Sequence, residues 1–312
     1  MENKTESKIR NIIDSVAIFD DKTQVDSIKN SERLSVRKLA HDEKTRHLEH
    51  IKAVLADKIK PSGRGYLDSW ESGWSQNLDM FDHSPSRKAL VPKYIRQNLP
   101  VRLNNDLFLP ISQDFELNLL GKIKRVLFKD YLSECSDILE LGCGTGHHLI
   151  DCAGLLGGAV QLFGLDWSKA SNRLVDRVAI EYQLNLKAVN FDFFDPGLPD
   201  TVMGGFGSKI GIFSIGALEQ IGSEWERLLE FLLQLRPSVV IHLEPTIEFY
   251  DSQVELDSLA LRFHRKKKWL SGYRTELERL QDCGKIELLA SARTFGSYMH
   301  EAYGVTVWAP KG

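Results

Sequence analysis

The chain has 312 residues, 42% of them hydrophobic and 27% charged, with a formal net charge of −3. That is enough for one large α/β domain with an extension. The faint acidity excludes a global pull toward nucleic acid, so an anionic partner would need a local basic patch. No apolar run approaches the roughly 18 residues of a membrane span. The polar start MENKTESKIRN lacks the apolar core of an export signal. The four cysteines, Cys135, Cys143, Cys152 and Cys283, form neither a CxxC pair nor a zinc-ligand spacing. No metal is expected, and the economical compartment is the reducing cytoplasm.

Residues 1–60 read as a helical extension. Ile9, Ile12, Ile13 and Val16, and later Leu48, Ile51, Val54 and Leu55, recur at three- and four-residue steps, and neither Gly nor Pro interrupts before Pro61. Such an extension either packs on the core or serves as an arm for a homo-oligomer or partner protein. Residues 61–110 change texture: Tyr66, Trp70, Trp74, Phe81 and Tyr94 stand among polar residues, and Pro92, Pro100 and Pro110 break any long helix. Exposed tryptophan and tyrosine at this density predict a lid or an interface. Residues 111–312 are regular. The helical stretch FELNLLGKIKRVLFKDYL precedes apolar runs that alternate with helical ones: DILELG, QLFGLD, LKAVNFD, IGIFSI and SVVIHLEP. This alternation predicts a doubly wound, mostly parallel sheet. The closely spaced KIELLASART and YGVTVWAP predict an antiparallel pair at one edge.

In DILELGCGTGHHLIDCAG, three alternate glycines, Gly142, Gly144 and Gly146, follow the first strand of that sheet, where open α/β sheets bind ligands. Glycine lets the backbone adopt positive φ and approach a ligand closely. A phosphate-binding P-loop would need Gly-Lys-Ser/Thr, which Thr145, Gly146 and His147 do not supply. The dinucleotide fingerprint GxGxxG is weakened, because the spacing is GxGxG with His147 in place of the third glycine. His147 and His148 are not a metal pair, since adjacent helical residues point about 100° apart; His147 belongs instead to the first turn beside the ligand.

The stretch ELGCGTG closely resembles motif I of the class I (Rossmann-like) S-adenosylmethionine-dependent methyltransferases, and the resemblance extends through residues 111–312. It implies a seven-stranded, mostly parallel sheet with an antiparallel last strand. It also implies S-adenosyl-L-methionine as cofactor, with S-adenosyl-L-homocysteine as product. Glu140 matches the acid that meets the cofactor's amino-acid portion or orders the loop. Gly142, Cys143, Gly144, Thr145, Gly146 and His147 form the loop. Asp166, with Trp167 beside it, matches the acid on the ribose hydroxyls, to which a carboxylate can accept two hydrogen bonds. Asp192 and Phe193 match the pair that frames adenine, and Ser214 lies on the fourth strand. IGIFSIGALEQIG is similar to a small-molecule methyltransferase segment in which a histidine is common where Gln220 stands. A finer likeness joins PKYIR, HLEPTIEFYD, FHRKKKWLSGYRTEL and MHEAY to a group found among bacterial surface-polysaccharide biosynthesis proteins, which implies a sugar, glycan or sugar-phosphate acceptor.

A hydroxyl acceptor needs a base to take its proton. The candidates at strand ends and in the last loop are Glu244, His242 and His300. Glu219 is assigned a structural or cofactor-side role. Tyr66, Trp70, Trp74 and Tyr94 are expected to cover the acceptor. The run HRKKK reads first as the solvated face of a helix; in the next reading, His264, with Arg274 and Arg96 as helpers, holds an anionic acceptor. The leading function is O-methylation of a small-molecule, sugar or glycan-linked acceptor. A protein or RNA methyltransferase docking through residues 1–60, and a scaffold that binds cofactor without turnover, stand as alternatives.

Overall fold

The computed structural model describes residues 3–20, 34–95 and 98–311. Helix α1 (Lys4–Asp14) leads to strand β1 (Ala17–Phe19), and β2 (Ser35–Lys38) precedes α2 (His41–Ala56). Helix α3 (Leu67–His83) is followed by β3 (Val101–Leu103), β4 (Asp106–Pro110) and α4 (Phe115–Leu127). Strands and helices then alternate through β5 (Asp137–Leu141), α5 (His147–Leu156), β6 (Gln161–Asp166), α6 (Lys169–Glu181), β7 (Leu186–Asn190), α7 (Asp200–Met203), β8 (Ile210–Ile215), α8 (Glu226–Leu235) and β9 (Val239–Glu244). The chain closes with α9 (Glu255–Lys267), α10 (Tyr273–Asp282), β10 (Ile286–Ala292), β11 (Phe295–Ser297) and β12 (Gly304–Pro310).

Seven strands form the main sheet, in the order β10-β12-β9-β8-β5-β6-β7. The pairs β5–β6, β6–β7, β5–β8 and β8–β9 are parallel, while β12 runs antiparallel to both β9 and β10. This is the doubly wound sheet with an antiparallel last strand that the sequence predicts. All five residues of β5 are buried, as a central strand covered on both faces requires. From β5 the chain steps outward to β6 and β7, then returns to β8 on the other side of β5. The crevice at this reversal lies at the carboxyl ends of β5 and β8, where the glycine turn begins.

The helical reading of residues 1–60 holds for α1 and α2 but not for β1 and β2. These belong to a second sheet, ordered β1-β2-β4-β3-β11, that gathers strands from both ends of the chain. Strands of three or four residues are too short to show a two-residue period, and their partners are remote in sequence. Both helices pack on the core. Ile9 and Ile13 of α1 join the main apolar cluster, and Ile51 and Leu55 of α2 meet Leu256, Leu259 and Phe263 of α9. Gly296 of β11 has no room for a side chain, because a Cβ there would lie 2.1 Å from the Ala302 nitrogen. The loop before β12 therefore folds tightly back on β11. Among the described residues, no helix is long and apolar enough to cross a membrane.

Candidate functional site

The glycine turn is built by β5, β6 and their hydrogen bonds. Gly142, Gly144 and Gly146 have φ of 67°, 51° and 72°, left-handed values that strain any residue with a Cβ. Gly142 N donates to Leu165 O at 2.7 Å, and Gly144 N donates to Asp166 Oδ2 at 2.9 Å. The other Asp166 oxygen, Oδ1, accepts from Ser168 N at 2.9 Å. Burial pushes the Asp166 carboxyl up to about 6, although these backbone donors oppose the shift. The turn and the end of β6 thus form one rigid unit.

Most of the expected ligand residues come together around a single cavity of about 80 Å³. Its floor is Gly142, Cys143, Gly144, Thr145 and His147, with Asp166, Trp167, Asp192 and Phe193 along one side. Trp70, Trp74 and Tyr94 roof it. The two indoles stack at 5.6 Å, and Tyr94 meets Trp70 edge-on. Trp74 presses directly on the turn: a Cβ on Gly144 would lie 2.8 Å from its ring. Arg64 reaches Asp192 Oδ2 at 3.3 Å and stacks over Phe194.

Among the described residues, two buried polar atoms without a hydrogen-bond partner, Trp70 Nε1 and His147 Nε2, belong to side chains that line this cavity. An unpaired buried polar group costs on the order of 1–3 kcal/mol, a cost that a polar ligand in the cavity would relieve. Burial, with the charges of Asp151 and Asp166, raises the Glu140 carboxyl well above its usual range, and Lys124 only partly offsets this.

The far end of the site is acidic. Glu244 Oε1 accepts from Ala217 N at 3.1 Å, just behind the cavity wall. Burial brings its pKa to about 7. Glu219, in the 3₁₀ turn Leu218–Ile221, is pushed up to about 8 by burial and by the charge of Glu244. Glu116, at the start of α4, accepts from the Tyr303 hydroxyl at 2.6 Å and is raised by burial. Tyr94 is 47% exposed overall. Burial nevertheless raises its hydroxyl, as do the charges of Glu219, Glu116, Glu140 and Glu244.

Because the Glu244 and Glu219 carboxyls titrate above the ordinary glutamate value, the folded state binds more protons here than the unfolded chain. Their contribution to stability is therefore full below about pH 4.5 and is lost as pH rises through about 7 to 8. Glu244→Gln is expected to raise the melting temperature above about pH 8 and to leave it unchanged near pH 4, as measured by calorimetric melts across that range. A melting temperature that does not depend on this substitution at high pH would refute the assignment.

Several expected site residues lie elsewhere. Ser214 and His242 do not line the cavity. Period-two alternation turns them to the opposite face of the sheet, with Ile212 and Val240. His242 Nδ1 bonds Ser214 Oγ at 2.9 Å, and its Nε2 faces Tyr273 Oη and the Trp308 indole N–H. Burial holds its pKa near 3, so it is a packed, neutral imidazole rather than a base at the cavity. His264 and His300 are buried together, their rings 5.5 Å apart, against Trp269 and Phe263. They are off the cavity wall, and His264 is not part of a solvated basic face. Arg274 is fastened to Ser291 and Glu278 and stacks on Phe249. Tyr66 accepts from Lys267 Nζ at 3.2 Å, also away from the cavity. Arg96 lies outside the described residues. Among the described residues, no group of three or more His, Cys, Asp or Glu could hold a metal ion.

Sequence reasoning missed Glu71. Its carboxylate accepts from Ser168 Oγ at 2.7 Å and Ala170 N at 3.1 Å, capping α6 beside Asp166. This latches α3 onto the unit of glycine turn and β6 end, and an Asp82–Arg177 ion pair fastens its other end. The signal was there in part: Trp70 and Trp74 are four residues apart, so they share one helix face, and Glu71 neighbours that face.

No family model matches the chain, and no curated protein matches it. Solved structures do. A SAM-dependent methyltransferase from Aquifex aeolicus is similar at a TM-score of 0.42 and 16% identity, over 60% of this chain and 88% of that one. The O-methyltransferase TomG from Streptomyces achromogenes, in complex with SAM, is similar at 0.43 and 16% identity, over 86% and 99%. The 16S rRNA methylase ArmA is similar at 0.44 and 13% identity, over 76% and 98%. Likeness this remote leaves the chemistry to be argued from the site.

Proposed function

We propose that the protein is an S-adenosylmethionine-dependent methyltransferase acting in the cytoplasm on a hydroxyl of a small-molecule, sugar or glycan-linked acceptor. The observation that carries this reading is the glycine turn at the reversal of strand order, locked to Asp166 and faced by aromatic and unpaired polar groups. The residues fit such a cofactor. Each Asp166 oxygen accepts one backbone N–H and keeps a lone pair for a ribose hydroxyl. Phe193 and Trp167 offer apolar faces to a purine, and Asp192 offers an acceptor to its exocyclic amine.

When bound, the cofactor supplies a methyl group on a positively charged sulfur. The protein's share of the work is alignment, which contributes up to roughly 7–11 kcal/mol in favourable cases, together with proton removal. We assign the hydroxyl proton to Glu244, which is buried behind Ala217 of the cavity wall with a pKa near 7. Trp70, Trp74 and Tyr94 exclude water above it. The sugar end of the acceptor range rests on the likeness of PKYIR, HLEPTIEFYD and MHEAY to surface-polysaccharide methyltransferases.

Calorimetric titration with S-adenosylmethionine, S-adenosylhomocysteine and NAD tests the cofactor, and binding of NAD alone would overturn the proposal. A screen with labelled cofactor against sugar nucleotides, glycans, RNA and protein tests the acceptor. Label confined to RNA or protein would remove the small-acceptor reading.

Ligands of this size occupy pockets of roughly 300–1,000 Å³, against about 80 Å³ beneath α3. Trp70 and Trp74 of α3 cover this cavity, so release of the helix would widen the way in. Glu71→Ala, which removes the latch at Ser168 and Ala170, is expected to speed S-adenosylhomocysteine association several-fold. Stopped-flow fluorescence of Trp70 and Trp74 measures it; an unchanged rate would show that the latch does not limit access.

A further inference from the structure

Thr145 Oγ1 lies 2.7 Å from the Leu90 carbonyl oxygen and 3.0 Å from His147 Nδ1. A carbonyl only accepts, so the single hydroxyl proton goes to Leu90. The bond to the imidazole must then be donated by Nδ1–H, which fixes the tautomer of His147. Its Nε2 is left as a bare lone pair, buried and without a partner among the described residues, in a side chain that lines the cavity. The adjacent ring is fixed in the opposite sense. Lys124 Nζ donates to His148 Nδ1 at 2.7 Å, so the His148 proton sits on Nε2. Burial and the Lys124 charge hold the His147 pKa near 3, so Nε2 stays unprotonated at neutral pH.

A lone pair in this position rejects a carboxylate or carbonyl oxygen and requires a donor. Of the donors that S-adenosylmethionine carries, the ribose hydroxyls belong at Asp166 and the adenine amine at Asp192, on the strands beyond. The amino-acid portion remains. Its carboxylate has the wrong polarity, and its ammonium has the right one.

On that reading of the pocket, we propose that His147 Nε2 accepts a hydrogen bond from the ligand's α-ammonium, oriented by the chain Leu90–Thr145–His147. His147 is then the residue by which this protein distinguishes an amino-acid-bearing nucleoside from one that lacks the amine.

The test compares two probes by calorimetry on the full chain: S-adenosylhomocysteine and its deamino analogue, 5′-S-(3-carboxypropyl)-5′-thioadenosine. His147→Ala is expected to lose about 10-fold in affinity for the first, the scale of one hydrogen bond to a charged group, and nothing for the second. His147→Gln, whose amide oxygen can accept in place of Nε2, should recover part of the loss. Thr145→Val, which releases the ring from its tautomer, should erode the same discrimination. An equal loss for both probes, or no loss for either, would overturn the assignment and leave the cofactor reading standing. Failure of the unaltered protein to bind either nucleoside would overturn both.

Discussion

Asp166→Ala is expected to weaken S-adenosylhomocysteine binding by about 100-fold or more, the sum of two hydrogen bonds to a charged acceptor. The same substitution removes the acceptor of Gly144 N–H and Ser168 N–H, so the glycine turn loses its tie to β6 as well as the proposed ribose contact. Asp166→Asn separates the two effects. Its one carbonyl oxygen can still hold one backbone donor and one ribose hydroxyl, while its amide nitrogen can accept from neither, so it should lose less affinity than the alanine variant, with a smaller change in melting temperature. The wild-type protein carries a further signature. Its carboxyl titrates near 6, so affinity should hold above that pH and fall as pH drops through it, whereas Asp166→Asn should show no such fall. Unchanged affinity in the alanine variant, measured by calorimetry, would mean that the end of β6 does not meet the ligand.

The parts of this site that the sequence makes legible are those whose chemistry and backbone coincide within a few residues. ELGCGTG carries a buried strand, three positive-φ glycines and an acid in one stretch, and the parallel register brings Asp166 to the same edge. Residues recognised only by type at a strand end fared worse. His242 and Ser214 sit at the expected height, but alternation sends them through the sheet to Tyr273 and Trp308. His300 sits in a loop that the sequence allows to fold over the site; Gly296 lets that loop turn back sharply, and the imidazole ends against Trp269. The contacts that close the cavity were illegible for another reason. Glu71 meets Ser168 and Ala170 across some hundred residues, and Arg64 meets Asp192 across more. No local pattern encodes such meetings, although the density of Trp and Tyr before residue 95 gives away the roof they hold in place.

The fold's second large expected effect lies away from the cavity, in the joint between the two sheets. Arg102 of β3 is fully buried. It donates to the Leu256 carbonyl at 3.0 Å and to Asp257 Oδ1 at 2.5 Å, in the first turn of α9. Arg293 clasps the same carboxylate through both oxygens and also bonds Glu301. Burial works against ionising Asp257, yet the Arg293 hydrogen bonds and the charges of both guanidiniums hold it below the usual carboxylate range. Removing one member of such a buried group leaves a charge without compensation, which costs about 3–5 kcal/mol. Asp257→Ala is therefore expected to lower stability by that amount in urea unfolding, with the loss shared by β3, β11 and α9 because Arg102 ties them together. Asp257→Asn should cost less, since it retains one acceptor oxygen for Arg102. Replacing Arg102 and Asp257 together by methionine and leucine should recover much of the loss, because apolar groups of similar volume need no partner. The β3–β11 pair forms the edge of the small sheet, and α3 lies in the connection that leads into β3. If Asp257→Ala unfolds at the wild-type denaturant concentration, the joint is held by Leu107, Leu256 and Phe263 packing alone.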